Sequence, residues 1–187
     1  MPLIYPVGFL KTSGTWTTVS TNSSLASDQA SWASFTIVIF IPQASISASG
    51  GTQTRLTLTA PTSGNTPITA MYVGQADAAY SGTAPAFAAT PTQLLFTGSA
   101  SVTLTGGTGD TVSDAASFVM PSSQGLAVAW QHSAAASSLR IATANNPANW
   151  KMSYKAGADA ATVAKSGYID YTATDGTCTV HIVEELI

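Results

Sequence analysis

From Phe35 to Ile41 the chain reads FTIVIFI, with Phe35, Ile37, Ile39 and Ile41 on one alternating face and Val38 and Phe40 on the other. A strand apolar on both faces lies between two layers, so this run predicts a central strand that Pro42 ends. TQTRLTLTAP shows the opposite pattern: Leu56 and Leu58 face inward and Arg55, Thr57 and Thr59 outward, as on a half-buried strand. PTSGNTP is a turn by composition, and ITAMYVGQ, QLLF, SVTL, TVSDAASFVM, GLAVAWQHS and SLRIATA are short strands bounded by Gly, Pro or Ser. In GLAVAWQHS one face carries Leu126, Val128, Trp130 and His132. YIDYTATDGTCTVHIVEEL closes the chain, with Asp175-Gly176 as a hairpin signal. ADAAYSGTAPAFAATP reads as a long surface loop with apolar anchors, and AGADAATVAKSG as one or two helical turns ended at Gly167.

Up to Ala30 the chain is Thr/Ser-rich, with little periodicity beyond a short strand at Trp16 to Val19. Residues 1–30 are therefore expected as an N-terminal arm or edge strand, and 31–187 as one domain. About ten short strands without a long helix predict an all-β fold, a two-sheet antiparallel β-sandwich of jelly-roll type with an extended N-terminal arm.

Composition sharpens this picture. Charged residues make up 8% of the 187, against about 25% in ordinary soluble domains. Thr, Ser, Ala and Gly take their place, and these suit turns and strand surfaces better than long helices. Six Lys and Arg and a net charge of -3 leave no basic patch to displace counterions from phosphates, so nucleic acid is not expected as a partner. The single Cys178 cannot form an internal disulfide and reads as a small core residue. MPLIYPVGFLK is broken by Pro2, Pro6 and Gly8 and lacks a leading cation, unlike a usual signal peptide; no apolar run is long enough for membrane insertion by a helix.

Candidate chemistry begins with GGTGDTVSD at Gly106 to Asp114, which reads either as a relic of a Gly-Asp-Ser nucleophile block or as a turn between strands. The runs RLTLTAPTSGNTPITAMYVGQADAA and LLFTGSASVTLTGGTGDTVSDAASFVMPSSQGLAVAWQHS resemble the non-catalytic β-sandwich module that accompanies some SGNH/GDSL-type hydrolases and occurs alone in bacteriophage virion proteins. The resemblance spans roughly Arg55 to Ser133. It places GGTGDTVSD on a turn and implies a jelly-roll module without catalysis. The residues agree with that reading. A serine hydrolase needs a nucleophile, a His base and a group that orients the base; here Thr111 stands where Ser would, and neither His132 nor His181 has an Asp three residues before it. Asp110 and Asp114 read as solvated turn carboxylates in preference to a calcium site, and no metal or cofactor is expected.

The stretch NNPANWKMSY is the best sequence candidate for ligand binding. The amides of Asn145, Asn146 and Asn149 donate and accept as sugar hydroxyls require, and Trp150 or Tyr154 could stack on a pyranose. The competing account makes Trp150 a core plug and the asparagines turn formers. The expected function is that of a structural protein of a bacteriophage particle, a capsid decoration or tail/fibre component, rather than an enzyme. Its expected location is the virion, and its expected partners are copies of itself, as a trimer, and other virion proteins. The alternative is a carbohydrate-binding module that attaches to a host-surface glycan.

Overall fold

The structure is a computed structural model, and it describes residues 14–23, 25–32, 34–47, 50–81, 85–132, 137–142, 149–171 and 179–187. Among the described residues thirteen strands follow in chain order: β1 (Trp16–Thr21), β2 (Leu25–Trp32), β3 (Phe35–Ile41), β4 (Gln53–Thr59), β5 (Asn65–Gln75), β6 (Thr92–Leu94), β7 (Val102–Thr105), β8 (Asp110–Val112), β9 (Leu126–His132), β10 (Ser137–Ala142), β11 (Lys151–Ala156), β12 (Ile169–Asp170) and β13 (Val180–Leu186). One antiparallel sheet has the order β1-β13-β4-β8, and a second has the order β12-β11-β3-β9-β5-β6 with β7 also on β5. β2 and β10 pair in a separate ribbon. Among the described residues the only helical element is a short 3-10 turn, Gln43–Ser45, and no helix is long and apolar enough to cross a membrane.

The two large sheets form an antiparallel β-sandwich around a shared core. Leu56 and Leu58 of β4 and Val180 and Val183 of β13 meet Ile37, Ile39 and Ile41 of β3, Val128 and Trp130 of β9 and Met71 of β5 in one cluster. The FTIVIFI run is central and buried on both faces, as its pattern predicts. Its odd positions enter the sandwich core. Val38 and Phe40 enter a smaller outer cluster with Ala127, Ala129, Phe87, Ala160 and Tyr168. Phe87 is thus the anchor of the long loop after β5, and residues 157–168 form a second cover over the same sheet.

Polar side chains fasten the outer surface of the first sheet. Arg55 on β4 donates two hydrogen bonds to the carboxylate of Glu184 on β13, at 2.7 and 2.9 Å, and its guanidinium lies 4.3 Å from the Trp16 ring centroid on β1. Three strands are stitched by one cation. On β2, Asp28 accepts from the N–H and hydroxyl of Thr62, from the N–H of Ser63 and from Arg140 on β10. Burial pushes the Asp28 carboxyl up, but these donors outweigh it and hold the pKa below its ordinary value. The PTSGNTP turn is therefore pinned to the β2-β10 ribbon.

The segment expected as an arm or edge strand carries β1, at the edge of its sheet, and the start of β2; residues 1–13 lie outside the described residues, and a boundary at residue 30 falls inside β2. The helical turns expected at AGADAATVAKSG are absent, because residues 157–168 form a succession of turns and bends. There the Asp159 carbonyl accepts from the Thr162 N–H in a turn, and the carbonyls of Asp159, Ala160 and Thr162 accept from the Lys165 ammonium. The Asp175-Gly176 hairpin and Cys178 lie outside the described residues.

The entry into β9 depends on backbone that only glycine adopts without strain. Gly125 has φ +91°, and a Cβ there would sit 2.4 Å from the Ile41 carbonyl oxygen and 3.0 Å from the Phe40 ring. Gly125→Ala is expected to cost roughly 3 kcal/mol through combined strain and overpacking. A urea midpoint equal to that of the parent would contradict this.

Candidate functional site

The NNPANWKMSY stretch divides when placed on the fold. Asn145 and Asn146 lie outside the described residues. Asn149 is exposed, with φ +53°, and leads into β11. Successive strand residues face opposite ways, so Asn149 and Lys151 face one side and Trp150 the other. Trp150 is fully buried in the sandwich core, which corrects its reading as a stacking platform: its indole has no open face for a sugar. Tyr154 lies on the Trp150 side, edge-on to Phe35 with ring centroids 5.5 Å apart and to Tyr171 at 6.3 Å. The structure therefore does not bring Tyr154 and Asn149 to one surface.

Asn149 instead borders a cleft of about 510 Å³ on the outer side of the second sheet. The cleft forms where β3 ends and β9 and β11 begin; the register sets Lys151 opposite Phe40 and Leu126 opposite Ile41. Its floor and walls come from Phe40, Pro42, Ala79 and Tyr80, and its polar groups from Gln43, Gln124, Asn149 and Lys151. The Phe40 and Tyr80 rings stack with centroids 6.0 Å apart and planes 24° apart. The Tyr80 hydroxyl also donates to the Asp170 carboxylate of β12. Contact at both ends of the side chain fixes the ring. Gln124, like Asn149, sits at positive φ, 65°. The amide oxygen of Gln43 is buried, with no donor within reach among the described residues.

Four separate chain segments supply these groups, and only Asn149 among them belongs to the sequence candidates. A signal was present for one more: Phe40 breaks the half-buried pattern of an ordinary strand. Nothing in the local sequence joins it to Tyr80 or Gln124.

GGTGDTVSD links the two sheets. Gly106 and Gly107 donate to the carbonyls of Gly64 and Pro61, and β8 then joins β4. The Asp114 carboxylate accepts from the N–H groups of Thr97 and Gly98, at 3.0 and 2.7 Å. Asp110 approaches a different group, the Nδ1 of His181 on β13 at 3.3 Å. This carboxylate–imidazole pair spans 71 positions and was not visible in the sequence. Thr111, the residue at the nucleophile position, follows Asp110 on the same strand and so projects to the opposite face. The two aspartates thus serve separate contacts. No group of three or more His, Cys, Asp or Glu side chains gathers among the described residues.

His132 is buried at the end of β9, and burial pushes its pKa below the ordinary imidazole value. Lys165 is the other buried ionisable group of interest. Its Nζ donates to the carbonyl oxygens of Asp159, Ala160 and Thr162, at 2.7, 3.1 and 2.5 Å, and lies 4.9 Å from the Phe87 ring centroid. Burial lowers its pKa to about 8, against the opposing pull of Asp159. All three ammonium protons have acceptors, so the group acts as a clamp on the 157–168 cover rather than as a free amine.

The architecture is that of an all-β antiparallel sandwich with one aromatic and amide-lined cleft on its outer side. No protein-family model matches the chain, and no curated protein matches it in sequence.

Proposed function

We propose that this chain is a structural protein of a bacteriophage particle, a jelly-roll module that decorates the capsid or forms part of a tail or fibre. One observation carries the reading, the strand order. The order β1-β13-β4-β8 in one sheet, and the stretch β3-β9-β5 with β7 beside β5 within the larger second sheet, support a jelly-roll arrangement of two Greek keys. Viral capsid and lectin domains use that architecture. The step from architecture to role is an analogy of fold, and the sequence resemblance described above supports it. On this reading the chain works by protein contact, with copies of itself as a trimer and with other virion proteins, and uses neither catalysis nor a cofactor.

The test is direct. Light scattering on the purified full chain should give a trimer, and mass spectrometry of purified particles from a producing host should detect the protein at fixed stoichiometry. A monomer absent from particles would overturn the reading. Removal of residues 1–13, which leaves β1 in place, is the truncation that asks whether the leading segment makes those contacts.

Carbohydrate attachment is the second reading, and it rests on a different observation: Asn149 borders a cleft that combines stacked aromatic rings with carboxamides. The two readings are compatible within one virion protein.

A further inference from the structure

The carbohydrate reading can be carried to a defined site and a defined sugar. We propose that the cleft between the ends of β3, β9 and β11 binds one N-acetylhexosamine residue of an oligosaccharide. This rests on the carbohydrate reading and moves its site away from Trp150.

Size comes first. About 510 Å³ lies within the range of small-molecule sites and suits a sugar residue together with part of its neighbour. Surface chemistry then narrows the class. Gln43, Gln124 and Asn149 carry carboxamides, which donate and accept at once and so match vicinal hydroxyls. Tyr80, stacked on the largely buried Phe40 ring, supplies an apolar aromatic wall for the C–H face of a pyranose. Pro42 and Ala79 extend that apolar surface. An acetamido methyl is the sugar substituent that fills such a surface, and its carbonyl oxygen is an acceptor for the carboxamide N–H groups of Gln124 and Asn149 that line the cleft. One substituent therefore meets two separate features of the cleft.

The site is also prepared for binding. Tyr80 is held by the Phe40 ring on one side and by Asp170 at its hydroxyl, so little side-chain freedom remains to be lost when a ligand arrives.

Saturation-transfer NMR and calorimetric titration of the full chain with chitotriose and maltotriose test the proposal, beside a glycan array that samples other saccharides. Chitotriose should bind at least tenfold more tightly than maltotriose. Tyr80→Ala should weaken it at least tenfold, and Tyr80→Phe should retain most of the affinity. Ala79→Trp, a change at an exposed position, should block the cleft and abolish binding with thermal stability unchanged, which covers the case in which Tyr80→Ala misfolds. Equal affinity for the two trisaccharides would overturn the N-acetyl assignment. Saccharide binding that survives both Ala79→Trp and Tyr80→Ala would overturn the cleft and leave the carbohydrate reading standing. Absence of any saccharide bound by the parent protein would overturn both.

Discussion

Trp150→Ala is expected to lower stability by about 3–5 kcal/mol, the usual cost of removing a large aromatic side chain from a packed core. The indole is completely buried among residues of both sheets, and the cavity left behind lies inside the sandwich, where the two layers cannot close onto it without moving β11. For a domain of this size the loss corresponds to a melting temperature lower by about 10 °C. Trp150→Phe should recover much of it. Thermal melts and urea titrations measure both. The same variants separate packing from recognition: a protein that keeps its full melting temperature but loses saccharide binding on Trp150→Ala would show that the ring is reachable and that its buried placement is wrong.

A second large effect is expected at Lys165. Lys165→Met removes the donor shared by three carbonyls, one of them fully enclosed, and should cost about 2 kcal/mol at neutral pH, since a buried acceptor left without a donor is penalised by roughly 1–3 kcal/mol. The parent protein should also carry a pH signature that the variant lacks. The folded chain releases the Lys165 proton near pH 8, well below the ordinary value of 10.5. Between about pH 8 and 10 the unfolded chain therefore binds more protons, and stability rises with pH over that interval. Tyr168 acts in the opposite sense only at higher pH, because burial raises its pKa above the ordinary value of 10.0. Stability measured by urea unfolding from pH 7 to 10 should climb in the parent and stay nearer to level in Lys165→Met. Parallel profiles would refute the assignment.

Sequence pattern revealed the elements whose burial is strong and local. The two-sided apolar run at Phe35–Ile41 and the inward pair Leu56 and Leu58 each required one arrangement, and each is found, although Thr57, expected outward, is buried as well. The region from Trp16 to Trp32 was harder to read, for a physical reason. WTTVST and LASDQASW have few apolar side chains; they are strands because β13 and β10, remote in sequence, supply their hydrogen bonds. Propensity misled at residues 157–168, where alanine favours a helix but the buried Lys165 ammonium draws the carbonyls into turns. The candidate site was the least legible part. Strand alternation sends Trp150 and Asn149 to opposite sides, so a motif that looks continuous in sequence is split by the sheet. The cleft itself joins Phe40, Gln43, Tyr80, Gln124 and Asn149 only through tertiary structure.

The place of β13 has a consequence for biosynthesis. It lies between β1 and β4 and supplies hydrogen bonds to both, yet it is translated long after either of them. A nascent chain therefore holds two unsatisfied strand flanks until its distal portion clears the ribosome exit tunnel, and delayed pairing of this kind slows folding and leaves such flanks open to pairing between neighbouring chains. Completion of that sheet waits for residues 180–186, and a pause in elongation before them would prolong the vulnerable interval.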